Sequence, residues 1–144
     1  MRRLLPTVSA LICACGTSTA TAIGADLVAK GIYRSSTSIQ ETATIPAVLG
    51  TSFGVAFRVN RTPGLRPPST TVTWRFPAAG LSNPNTKRTS HRVSYECNCV
   101  IEEMVCKIRW RFDHPWELVP GVWEVEIAVD HRTAIKESFT VVEP

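Results

Sequence analysis

A chain of 144 residues, 44% hydrophobic and 19% charged, has room for one modest core; it is too apolar to be disordered and too polar to be a membrane protein throughout. The formal net charge is +4, but Arg2 and Arg3 precede a leader-like apolar run and no acidic residue comes before Asp26. From Ile23 onward the balance is +2, 14 basic against 12 acidic residues spread singly along alternating segments, so no nucleic-acid partner is expected.

Residues 1–22 read as an export signal. Arg2-Arg3 is a positive start, and Leu4 to Cys15 is apolar apart from Thr7 and Ser9 and too short to span a bilayer. Ala20-Thr21-Ala22 supplies the small-x-small pattern of a cleavage site, which places the cut after Ala22 and the new N-terminus at Ile23. Ile12-Cys13-Ala14-Cys15-Gly16 offers an alternative, a lipobox-like stretch in which Cys15 is lipidated. Only that alternative ties the protein to a membrane; otherwise it is periplasmic or secreted.

Residues 23–144 read as a single domain built of strands, since apolar and polar residues alternate with period two. Asp26–Tyr33 is the first candidate, Ser35–Ser38 a polar break, and Ile39–Ile45 a short strand or irregular segment ending at Pro46. In Thr51–Asn60 the residues Phe53, Val55, Phe57 and Val59 share one face; Arg61–Pro68, rich in Pro and Gly, is a loop. Ser69–Phe76 puts Val72, Trp74 and Phe76 inward, and Pro77–Ser90 is a long connection around Gly80 and Asn83-Pro84-Asn85, of a length that is often functional.

Arg92–Phe112 fits a hairpin turning at Glu102-Glu103. In that register Cys99 faces Cys106, Cys97 faces Ile108, Tyr95 faces Trp110 and Val93 faces Phe112, while Glu96 meets Arg109 on the solvent side. The acidic turn is not of the preferred Asn-Gly type. Asp113–Gly121 is a connection with two prolines. Val122–Val129 alternates, Asp130-His131-Arg132 turns, and Thr133–Val142 returns with Phe139 and Val141 inward. Glu137 shares the inward parity of Ile135, which predicts a bulge between them. Seven or eight short strands predict an all-β, immunoglobulin-like two-sheet sandwich, with a small β-barrel as the alternative.

The hairpin register and an oxidising compartment predict a Cys99–Cys106 disulfide with Cys97 as the third thiol of the exported chain. The competing reading is a soft-metal or redox site of Cys97, Cys99 and Cys106, helped by His91 or Met104; it lacks a recognised four-ligand spacing. His114 and His131 fall in a connection and a turn, and no motif of nucleophilic, metal-hydrolytic or phosphate chemistry is present, so no catalytic residue and no cofactor are expected. Trp74, Trp110 and Trp123 alternate inward. Trp116 lies in a loop, where it either anchors the end of the sandwich or faces a ligand; anchoring is the expected role.

The run Phe112-Asp113-His114-Pro115-Trp116-Glu117-Leu118-Val119-Pro120-Gly121-Val122-Trp123, with Glu126-Ile127 and Ser138-Phe139-Thr140-Val141 after it, resembles the C-terminal signature of the bacterial domain-of-unknown-function family 3859. Gly31-Ile32-Tyr33, Leu49-Gly50-Thr51-Ser52-Phe53-Gly54-Val55, Thr73-Trp74-Arg75-Phe76-Pro77 and Gly80-Leu81-Ser82-Asn83-Pro84 are similar as well. The resemblance implies an immunoglobulin-like β fold in an exported protein and no activity. The cysteine set is an addition to the family pattern, which fits a local staple. The expectation is therefore a non-enzymatic binding or structural module that meets a protein partner through an exposed strand edge or the Pro77–Ser90 loop.

Overall fold

The computed structural model describes residues 24–60, 68–97 and 105–144. The export signal with Ala22 and Cys15, the thiol of Cys99, Met104 and the Glu102-Glu103 turn lie outside the described residues.

Among the described residues, eleven strands and one 3-10 turn run in the order β1 (Ala25–Tyr33), β2 (Ile39–Glu41), β3 (Thr44–Pro46), β4 (Ser52–Val59), β5 (Thr70–Arg75), β6 (Leu81–Asn83), β7 (Arg88–Ser90), β8 (Arg92–Cys97), β9 (Cys106–Arg111), the turn Pro115–Glu117, β10 (Gly121–Val129) and β11 (Arg132–Val142). One sheet has the order β2-β1-β4-β9 and the other β3-β11-β10-β5-β8; β6 and β7 pair only with each other. The two main sheets stay open at their edges, so the fold is an immunoglobulin-like sandwich and not the barrel alternative.

The alternation that predicted the strands also fills the core. Phe53, Val55, Phe57, Val72, Trp74, Trp123, Val125, Ile127 and Phe139 are all fully buried. Phe53 is the hub: its ring lies 5.7 Å from Trp74, 5.3 Å from Phe112, 5.7 Å from Trp123 and 5.3 Å from Phe139, mostly edge-to-face.

Four expectations are corrected. Among the described residues the hairpin register over Arg92–Phe112 does not form. β8 pairs with β5, putting Val93 opposite Trp74 and Glu96 opposite Thr71, whereas β9 pairs with β4, putting Ile108 opposite Val55 and Trp110 opposite Phe53. The two strands belong to different sheets. An apolar face pointing at the interior satisfies either arrangement, because both sheets present the same face inward. Second, the Pro77–Ser90 connection holds the β6–β7 hairpin, with Leu81 opposite Ser90 and Asn83 opposite Arg88. Its turn is tied by Lys87 N–H donating to Asn83 O (2.9 Å) and Asn85 N–H donating to Asn83 Oδ1 (2.9 Å). Third, Glu137 keeps its inward parity opposite Val125, and Lys30 of the facing sheet meets its carboxylate at 2.8 Å. The register shift lies one step earlier, where Ala134 is the extra residue between the Ile127–Ile135 and Ala128–Thr133 pairs. Fourth, the Ile39–Ile45 segment is two strands, and β3 runs parallel to β11 in the opposite sheet from β2.

Gly31 and Gly54 sit opposite each other in β1 and β4. A Cβ on Gly31 would lie 1.9 Å from Gln40 O, and one on Gly54 would lie 1.9 Å from Ile108 O. Glycine at both positions lets the outer strands β2 and β9 close onto the sheet. Gly54→Ala forces β9 away from β4 and is expected to cost about 1–3 kcal/mol, read as a lower denaturant midpoint at unchanged m.

Tyr33 is buried, and its hydroxyl donates to Val55 O at 2.7 Å. Burial pushes the phenol up to about 12 from 10.0, against a smaller opposing pull from Arg109. A raised folded value means that the stabilisation is complete below pH 10.0 and is lost as pH rises through about 12. Phenolate absorbance is therefore expected to show a late phase near pH 12 that Tyr33→Phe removes.

Candidate functional site

β8 and β9 are edge strands of opposite sheets, and between their flanks the sandwich is not closed by a strand among the described residues. A groove of about 230 Å³ opens there. Its apolar wall is Phe76, Leu81, Val93, Trp110 and Trp116; Asn83, Thr86, Arg88 and Ser90 from the β6–β7 hairpin form the polar side. A concave apolar surface with a few convergent polar groups is the usual form of a binding site.

The wall is held by the segment after β9. Trp110 packs edge-to-face on Phe76 (5.2 Å), Trp123 (5.6 Å) and Trp74 (5.8 Å). Its Nε1–H donates to Glu117 Oε2 at 3.0 Å. The other carboxylate oxygen, Oε1, accepts from Asp113 N–H (3.1 Å) and His114 N–H (2.8 Å), so the acidic group is only 5% exposed yet fully used. Trp123 Nε1–H donates to Val119 O at 2.9 Å. Trp116, half-buried against the core, stacks on His114 with ring centroids 5.3 Å apart and planes 6° from parallel. Trp116 packs against the core at this end of the sandwich, and part of it lines the groove. Glu117 carries no distinguishing motif in the sequence, although its three donors lie three, four and seven residues upstream, at His114, Asp113 and Trp110.

Cys97 ends β8 and Cys106 begins β9, both half-buried against the core, while Cys99 is outside the described residues. The Cys99–Cys106 expectation rested on a hairpin register that the described residues do not follow: Cys97 lies opposite Thr70 and Cys106 opposite Phe57. His91, His114 and His131 are exposed at separate places. His131 and Asp130 form the β10–β11 turn with φ of 65° and 47°, and Asp130 Oδ1 accepts from Ser69 N–H at 2.9 Å. Among the described residues no three His, Cys, Asp or Glu side chains come close enough to hold a metal ion.

The family model described as Domain of unknown function (DUF3859) matches residues 24–141. The chain belongs to the DUF3859 family. The Pro115-Trp116-Glu117 segment that carried the resemblance is the segment that walls the groove. Among solved structures, an immunoglobulin-like protein from Pseudomonas aeruginosa is similar over 83% of this chain and 94% of its own, at 24% identity and a TM-score of 0.71; the likeness is one of fold. No curated protein matches the chain.

Proposed function

We propose that this DUF3859 domain is an exported, non-enzymatic binding module whose groove takes a compact aromatic group with an anionic end. The observation that carries this reading is the wall of Trp110, Trp116 and Phe76 facing Arg88 across a groove of about 230 Å³. That volume is below the roughly 300–1,000 Å³ of sites for drug-sized ligands, so it suits one bulky side chain or a molecule of that size. Aromatic walls contribute contact area at low entropic cost, and a guanidinium at the rim favours a carboxylate. The leader at residues 1–22 supports export to the periplasm or beyond. The cysteine-based metal or redox reading gains nothing from the described residues, and the binding reading is preferred to it.

N-acetylphenylalanine, an aromatic ring with a carboxylate, is a direct probe. For a ligand of its size a Kd on the order of 1 mM is expected. In an NMR titration the indole N–H signals of Trp110 and Trp116 are expected to shift and saturate, while those of the fully buried Trp74 and Trp123 move less. Thr86→Trp, which fills the groove from an exposed position, is expected to weaken binding at least about tenfold, and Arg88→Ala by several-fold. Equal affinity in Thr86→Trp, or shifts that follow neither groove tryptophan, would sink the reading.

A further inference from the structure

The edges of the two sheets are unequal. β2 and β3 are three residues each, and β3 ends in Pro46, so neither offers a long template. β9 carries Lys107, Arg109 and Arg111 on its outer face. A second β9 laid antiparallel about Arg109 would oppose Lys107 to Arg111 and Arg109 to itself, all repulsive, which is how natural edges are protected. β8 differs. Its outer face reads Arg92, Ser94, Glu96, and every residue from Arg92 to Glu96 is exposed.

We propose that β8 is a self-complementary edge, through which two copies of this chain pair antiparallel about Ser94 into a twofold dimer with one continuous sheet. In that register Arg92 faces the partner's Glu96, Ser94 faces the partner's Ser94, and Glu96 faces the partner's Arg92. On the other side Val93 faces the partner's Tyr95, and the reverse. Moving the twofold to Tyr95 opposes Glu96 to Ser94 and loses both charge pairs.

Three observations within one copy favour this occupant. Arg92 lies directly opposite Arg75 in the β5–β8 ladder, a like-charge pair. Arg75 already has Glu126 at 2.6 Å and Glu124 at 3.2 Å, and among the described residues neither Arg92 nor Glu96 forms an ion pair. Val93 points to the interior face, opposite the fully buried Trp74, yet remains 37% exposed at the edge of the sheet, with no strand beyond it among the described residues. A second β8 covers it. The symmetry is isologous and closes at two copies. The contact also sets the partner's Tyr95 beside Val93 at the rim of each groove, though the strand-edge pairing does not depend on what the groove binds.

Sedimentation velocity across a concentration series tests the pairing. The wild-type protein is expected to pass from monomer to dimer with rising concentration, less tightly at high salt. Arg92→Glu and Glu96→Arg each create two like-charge pairs per dimer and are expected to weaken it at least about tenfold. The double variant R92E/E96R exchanges the charges and is expected to restore the wild-type dimer. Both substituted positions are exposed, and near-UV circular dichroism verifies that each variant is folded. A wild-type chain that stays monomeric to millimolar concentration, single variants that dimerise as well as wild type, a double variant that fails to recover, or growth beyond two copies each overturns the proposal.

Discussion

Phe53→Ala is expected to lower stability by about 4 kcal/mol and the melting temperature by roughly 10–20 °C, the largest effect of any single substitution considered for this fold. Phe53 is fully buried, and four of its neighbours across both sheets are themselves aromatic. Truncation removes the transfer free energy of the ring and leaves a cavity that rigid indoles cannot collapse to fill. It also removes aromatic pairings, each worth about 0.5–1.5 kcal/mol beyond burial. Phe53→Leu keeps most of the volume and is expected to lose about half as much. Denaturant midpoints at constant m give both values, and a Phe53→Ala loss below about 2 kcal/mol would show that the hub is not where the sheets are held together.

The second large effect is at Glu117. Glu117→Ala leaves Trp110 Nε1–H and the backbone N–H groups of Asp113 and His114 without their acceptor. At about 1 kcal/mol or more for each donor, the loss is expected to be about 3 kcal/mol. Glu117→Gln retains one oxygen acceptor but turns an amide N–H toward one of the donors, and is expected to recover only part of it. Unlike Phe53→Ala, these variants should also abolish aromatic binding in the groove, because Trp110 and Trp116 lose the group that fixes their relative positions. The Trp110 indole N–H resonance, deshielded by its bond to a carboxylate, reports the change directly.

Strand positions and faces were legible in the sequence because period-two alternation records which side of a strand is dry. β4, β5, β10 and β11 came out within a residue or two of their observed bounds. Alternation does not record which sheet a strand joins. Val93, Tyr95 and Cys97 match Phe112, Trp110 and Ile108 in polarity whether the two strands face each other across the core or lie side by side in one sheet. The poor turn at Glu102-Glu103 was the one local sign against a hairpin. Glu137 looked like a register fault because its counter-ion, Lys30, lies 107 positions away on the facing sheet. The groove was visible only in part. Trp116 stood out as a loop tryptophan, but its polar side is carried by a β6–β7 hairpin whose strands are three residues long and carry little apolar pattern.

The parallel seam between β3 and β11 has a kinetic consequence. Thr44, Ile45 and Pro46 line up with Thr140, Val141 and Val142, nearly a full domain apart along the chain. Ile45 and Val141 are both sealed inside the core, so that seam is part of the finished interior. Closing so large a loop is entropically slow, and the contact cannot exist before the last strand has been made. Until β11 is available to pair with β3, the interior around Ile45 and Val141 stays unsealed, so closure of this seam is expected to be a late step in folding.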